Sequence, residues 1–352
     1  MKVALVHLGR SEARGEVRRV ASWRTVFEAT GADVHDLPVG RVRVPRVTKV
    51  TGIARGTAVP ESVTWSTPAL VQRLESLQPD LVVVVSARAF DPRLTTGTWT
   101  TILDYVDSLA RSYADRGEVL RGVRKVGFAA LAKAHARTER VLTNQGLHTV
   151  AAGWADAERL GAEWVPIVIN PGEPSTLTTK PDHDVLFMGT LRYPPNMDAL
   201  DRLGRIWPRV LKARPETTAF VAGADPPPTV IELTDRHGWD LVANFSSLPD
   251  LATRARVAVA PLARTAGIQI KVLDAAAMGL PQVVTTAALA GLAPGFPIEP
   301  FDDDGTFAAE IVRLLDDPTS AARDAAARQA YVEAEYGVER WSRWAADQMP
   351  TP

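Results

Sequence analysis

Buried-strand signals alternate with amphipathic helical ones along almost the whole chain, and that alternation restricts the fold to parallel α/β sheets covered by helices. Val3–His7 is a short apolar strand. Glu16 to Thr30 then carries Val17, Val20, Trp23, Val26 and Phe27 at helical spacing. Pro79–Ser86, PDLVVVVS, reads as a strand buried on both faces, with a turn signal ahead of it. Further strands are expected at Thr101–Tyr105, Arg140–Asn144 and Trp164–Asn170, and a basic amphipathic helix at Arg121–Arg137.

The alternation pauses at Pro171–Pro181, PGEPSTLTTKP, which has the composition of a linker, and then restarts. Strands are expected at Asp184–Met188, Thr217–Ala222, Val257–Pro261 and Gln282–Thr286. Helices are expected at Asn196–Arg214, Ile268–Gly279, Phe307–Leu315, Ala321–Glu335 and Val338–Met349. A chain of 352 residues has room for two cores. The expected division is 1–172, 173–335, and a Trp-bearing terminal helix at 336–352.

Composition removes several chemistries. With no Cys, the chain has no disulfide, zinc–thiolate site, iron–sulfur cluster or thiol nucleophile. The six His are scattered, without HxH or HExxH spacing, so no metal and no cofactor are expected. The opening apolar run is far shorter than the ~20 residues a spanning helix needs, and the expectation is a soluble, cytoplasmic protein. Net charge is −1, with a mildly basic first half and an acidic second half. That asymmetry suits an anionic acceptor or a membrane surface, or equally an ordinary solvated surface; nothing points to nucleic acid.

The segment Val257–Leu292, VAVAPLARTAGIQIKVLDAAAMGLPQVVTTAALAGL, holds the most chemistry. A buried strand runs through Pro261 into the loop Ala263–Gly267 and then a helix starting near Ile268. Free N–H groups at a helix N-terminus, with a Gly allowing close approach, bind anions. Lys271 lies one turn in and Asp274 three residues further on the same face. Phosphates at the helix tip and ribose hydroxyls on the Asp would suit a nucleoside diphosphate. An ordinary strand–helix unit with a Lys271–Asp274 surface pair explains the spacing equally well.

This segment resembles the retaining glycosyltransferases of family 4, the group 1 transferases. Pro261, Leu262, Gly267, Ile268, Lys271, Val272, Leu273, Ala275, Ala277, Gly279, Pro281, Val283, Val284, Thr286, Gly291 and Leu292 all fit the family pattern. Val185–Leu200, VLFMGTLRYPPNMDAL, is similar to the signature that opens the family's C-terminal domain, and Ile102–Tyr113, ILDYVDSLARSY, to a strand-end segment of its N-terminal domain. The resemblance implies a GT-B architecture, two Rossmann-like domains facing each other across a cleft. It also implies a nucleotide-sugar donor held mainly by the C-terminal domain and an acceptor held mainly by the N-terminal one.

On this resemblance, Arg192, Lys271 and the backbone around Gly267 and Ile268 would stabilise the leaving diphosphate, which removes the need for a metal. Gly15, Gly189, Asn244, Phe245 and Ala266 would also line the donor site, with Asp274 on the ribose. Asp104 and Asp107, at a strand end, would orient or deprotonate the acceptor hydroxyl; Asp107-Ser108 also fits a helix N-cap. His7 reads as a buried strand histidine. The basic helix 121–140 is similar to segments that some members use against membranes or lipid-linked acceptors, and packing on the sheet explains its apolar face as well.

The sequence departs from the family at three points, one of them Ala290, which replaces the Glu that a branch of the family carries before Gly-Leu. Ala266 and Asp274 stand where many members have Glu, which bears on the sugar bound. The acceptor stays open among surface glycan, lipid-linked glycan and natural product. The alternative reading is a non-catalytic sugar-nucleotide-binding protein or partner subunit. A nicotinamide-dependent oxidoreductase would need a GxGxxG after the first strand, where GRSEARG stands.

Overall fold

The computed structural model describes residues 1–9, 14–39, 41–42, 64–65, 67–118, 120–144, 146–170, 181–245, 247–264 and 267–349. Two compact units emerge: Met1–Val168 with Ala266–Ile268 and Tyr336–Pro352, and Ile169–Thr265 with Gln269–Glu335. The linker expected at 171–181 lies outside the described residues, apart from Pro181.

The first unit opens with β1 (Lys2–Leu8), α1 (Arg14–Glu28) and β2 (Asp33–Val39). After a small antiparallel pair, β3 (Arg41–Val42) and β4 (Thr64–Trp65), come α2 (Thr67–Leu77), β5 (Leu81–Val85) and β6 (Thr100–Asp104). Then follow α3 (Leu109–Glu118), α4 (Gly122–Thr143), β7 (His148–Ala151), α5 (Trp154–Leu160) and β8 (Glu163–Trp164). The main sheet is parallel in the order β2-β1-β5-β6-β7-β8. Its two faces follow the period of two. Ala4, Val6, Val82 and Val84 pack into one core, Val3, Leu5, Val83 and Val85 into the other.

The second unit contains β9 (His183–Thr190), α6 (Pro194–Ala213), β10 (Ala219–Ala224), α7 (Pro228–His237), β11 (Asp240–Ala243) and α8 (Leu248–Thr253). It continues with β12 (Ala255–Ala260), α9 (Ile270–Ala277), β13 (Gln282–Val284), α10 (Thr286–Leu289), α11 (Asp304–Asp316) and α12 (Pro318–Tyr336). The sheet is again parallel, β11-β10-β9-β12-β13. The chain then returns to the first unit as α13 (Val338–Asp347).

In each sheet the first strand has its successors on one side and later strands on the other. The order therefore reverses between β1 and β5, and again between β9 and β12. Ligands of open α/β sheets bind outside the carboxyl ends of strands at such reversals. Beside the second reversal, glycine brings β9 and β10 close: a Cβ on Gly223 of β10 would lie 1.9 Å from the Gly189 carbonyl oxygen of β9.

Four expectations need correction. The strand expected at Trp164–Asn170 is confined to β8, Glu163–Trp164. Arg140–Asn144 is not a strand: Val141–Thr143 continue α4, because Thr138, Glu139 and Leu142 are buried at helical spacing, and the strand forms later at His148–Ala151. The helix read from Glu16 begins earlier, at Arg14, so Gly15 lies in the first turn of α1. The helix expected from Ile268 begins at Ile270, leaving Gly267 and Ile268 in the preceding loop.

Candidate functional site

In the second unit, Gly189 stands near the carboxyl end of β9, beside the reversal of strand order. The chain leaves β9 through Leu191–Tyr193 and enters α6 with Pro194 and Pro195 in its first turn, where a missing N–H costs nothing. Buried Asn196, Ala199, Leu200 and Leu203 follow on one face, so the turn that carries Asn196 is held against the sheet. Asn196 is 4% exposed. Its Nδ2 donates to the Thr190 carbonyl at 2.9 Å, and its Oδ1 accepts from Lys271 Nζ at 2.5 Å.

Lys271, in the first turn of α9, extends its ammonium over the Phe187 ring, 4.8 Å from the centroid. It also lies 3.1 Å from the point a Gly189 Cβ would occupy. Burial pushes this ammonium down to about 7. Asp274, one turn along, is 8% exposed. A cation thus sits at a strand end with glycine below it, the arrangement that lets an anion come close.

The other donor-side candidates have diverse settings. Gly267 takes φ 72°, the left-handed region that suits glycine, and Ala266 lies outside the described residues. Arg192 is exposed in the loop after β9. Asn244 ends β11 in a left-handed turn (φ 54°), with its N–H on the Gly223 carbonyl and its Oδ1 accepting from the Asp225 N–H. Phe245 packs on a core cluster that includes Leu251 and Phe220.

In the first unit the two carboxylates separate by role. Asp104 is fully buried, and its Oδ2 accepts from Arg19 Nε at 2.5 Å and Trp23 Nε1 at 2.6 Å. Its Oδ1 accepts from the Val106 N–H at 2.8 Å. Both oxygens are engaged within the fold, which sets Asp104 apart from Asp107.

Asp107 differs. The N-cap of α3 is Ser108, whose Oγ accepts from the Arg111 N–H and donates to Glu139. Asp107 is left with an enclosed Oδ1 that has no hydrogen-bond partner among the described residues. Burial, reinforced by the Asp156 and Asp104 carboxylates and opposed by Arg19 and Arg88, pushes its carboxyl up to about 7. A group with that value exchanges protons readily near neutrality. Arg19, Trp23 and the anchoring role of Asn196 escaped the sequence reading; Asn196 stood in the PPNMDAL signature, but spacing alone gives it no partner.

Residues 182–317 match the family model described as glycosyl transferases group 1. No curated protein matches the chain by sequence. Among solved structures, sucrose-phosphate synthase from Thermosynechococcus elongatus is similar at TM-score 0.68 and 12% identity, covering 99% of this chain and 98% of that one. Anabaena HepE in complex with UDP matches at TM-score 0.63 and 13% identity, covering 99% of each chain. The spinosyn rhamnosyltransferase SpnG, complexed with thymidine diphosphate, matches at 0.55 and 13%, covering 98% of this chain and 100% of that one. The architecture is GT-B, with two parallel-sheet units. The second unit carries a group 1 glycosyltransferase domain, and the protein is a glycosyltransferase enzyme.

Proposed function

We propose that the protein moves a sugar from a nucleoside-diphosphate sugar to an acceptor hydroxyl, with retention at the anomeric carbon and without a metal, as a family 4 member. One observation carries the reading: the Lys271 ammonium is held beside Gly189 at a strand end, inside the segment that matches the family model. UDP and thymidine diphosphate in HepE and SpnG structures support a nucleoside diphosphate as the shared part of the donor.

In this reading Lys271 and the loop around Gly267 and Ile268 neutralise the departing diphosphate, with Arg192 reaching in from the loop after β9. Asp274 takes the ribose, Asn244 and Phe245 flank the base, and Gly15, in the first turn of α1, lies on the acceptor unit. Asp107 is the side chain that accepts or shares the acceptor proton. The acceptor is a glycan, a lipid-linked glycan or a small natural product. Exposed Val123 and Val126 beside Arg124 and Lys125 on α4 support peripheral contact with an anionic membrane face on the cytoplasmic side. No helix among the described residues is long and apolar enough to cross a membrane.

The test is a thermal-shift screen with UDP, GDP, ADP, dTDP and NAD against wild type and Lys271→Ala. Saturation at ~100 times the dissociation constant adds about 2.7 kcal/mol, and the expected gain with one nucleotide disappears in the variant. Donor turnover with EDTA present, and the anomeric configuration of the product by NMR, then decide metal independence and retention. Stabilisation by NAD alone would overturn the reading.

A further inference from the structure

We propose that Asn196 is a positioning residue for Lys271, fixing its amine in the strand-end site so that a donor phosphate meets a preoriented partner. The proposal rests on the donor reading of that site and extends it to a side chain that need not touch the donor.

The geometry is specific. Asn196 is buried and has each amide atom engaged: Nδ2 on the Thr190 carbonyl, Oδ1 on Lys271 Nζ. The Thr190 contact fixes the amide orientation, because a carbonyl can only accept; Oδ1 is thereby turned toward the lysine. Without that acceptor, a four-carbon lysine stem over an aromatic ring has several rotamers and no reason to prefer one. The Gly189 Cα lies against both groups, and a Cβ there would come within 2.7 Å of Asn196 Nδ2 and 3.1 Å of Lys271 Nζ. Three elements, β9, α6 and α9, therefore converge on one ammonium.

The choice of a neutral partner has a consequence. β9 offers the Phe187 ring and backbone, and α6 offers a neutral amide. Charged groups on the flanking chain are Arg192, which is exposed, Asp198, which is exposed and paired with Arg264, and Asp274, one turn along α9. Burial is the cause that lowers the Lys271 value. An aspartate at 196 would pair with the ammonium and hold it charged in the absence of donor; asparagine orients the amine and leaves neutralising a charge to the incoming diphosphate.

Two measurements on the full-length chain decide this. Lysine labelled with 13C at Cε gives the Lys271 titration directly, its resonance assigned by loss in Lys271→Arg. Asn196→Asp should raise the midpoint by roughly one unit or more, and Asn196→Ala should leave it unpaired at or below the wild-type value. The second is a double-mutant cycle in the binding of UDP, or whichever nucleoside diphosphate the thermal screen selects. Asn196→Ala should weaken binding roughly tenfold in wild type and have almost no effect in a Lys271→Ala background.

An unchanged Lys271 midpoint in a folded Asn196→Asp protein overturns the proposal. So does an Asn196→Ala loss that persists unchanged without Lys271, which would make the asparagine a direct or merely structural contact. If no nucleoside diphosphate binds, the donor reading fails, while the titration still decides whether Asn196 governs Lys271.

Discussion

Arg19 and Asp104 form an ion pair closed off from solvent, Nε to Oδ2 at 2.5 Å, with side chains 1% and 0% exposed. The pair ties α1 to the end of β6, and the same carboxylate takes the Trp23 indole N–H while Arg19 Nη1 donates to the Pro166 carbonyl. Removing one partner of such a pair leaves an uncompensated buried charge. Asp104→Ala is expected to cost about 3–5 kcal/mol, measured by urea unfolding. Donor binding by the second unit should survive under native conditions. A stable Asp104→Ala protein with lost activity would instead return Asp104 to the catalytic residues.

Asp107 gives a pH-dependence with a definite sign. Its folded value of about 7 exceeds the ordinary ~3.9 of an aspartate, so the native state binds more protons than the unfolded chain between those values. Its contribution to stability is therefore greatest at acid pH and falls as pH rises toward 7. Asp107→Asn should be more stable than wild type above that window, by at most about 4 kcal/mol, with the difference fading near pH ~4. Denaturant melts across pH check this. If Asp107 accepts the acceptor proton, the same variant loses turnover at every pH.

Lys271 shifts the opposite way, to about 7 from an ordinary ~10.4. The unfolded chain then binds more protons between these values, so this group weakens the empty fold most below pH ~7 and the penalty lifts as pH rises. A bound diphosphate restores the charge. Calorimetry near pH ~8 in buffers of different ionisation enthalpy should reveal uptake approaching about one proton per nucleotide, absent in Lys271→Met. Binding with no proton exchange would show that the phosphates do not meet this amine.

How much of this was readable follows from the range of each interaction. Strands such as β5 and β9 declare themselves through continuous apolar runs, and Lys271 stands in a segment with family resemblance. Arg19 and Asp104 are 85 positions apart, and Asn196 and Lys271 are 75 apart. No periodicity links such partners. The misread strand at Arg140–Asn144 shows the local limit: Val141, Leu142 and Thr143 suit either structure until Leu142 is seen to share a buried face with Glu139 and Thr138. Asp107 and Ser108 show another, since either fits an N-cap and only geometry assigns the role to Ser108.

The two glycines at the β9–β10 junction should respond differently to alanine. A Cβ on Gly223 meets a backbone oxygen at 1.9 Å, and backbone in a paired strand cannot move without breaking the ladder. A Cβ on Gly189 meets the Asn196 amide and the Lys271 ammonium, the ends of side chains. Gly223→Ala should therefore destabilise the second unit by more than about 3 kcal/mol. Gly189→Ala should fold, yet bind the nucleotide more weakly by displacing the ammonium. Equal stability losses would contradict this division.

The terminal helix offers the last test. α13 packs in the first unit, where Trp341, 4% exposed, meets Trp164 edge-on at 5.4 Å and Trp344 lies 5.8 Å from Trp23. Trp164 also meets Tyr336 at 5.6 Å, so one aromatic cluster joins β8, α1 and the returning chain. Emptying the site of the Trp341 indole should cost about 3–5 kcal/mol, and a chain with two units need not unfold in one step. Hydrogen exchange resolves where the loss falls. In Trp341→Ala, amides of β1, β5 and β6 should lose protection while those of β9, β10 and β12 keep theirs. Equal loss in both sheets would mean that the two units unfold as a single cooperative body.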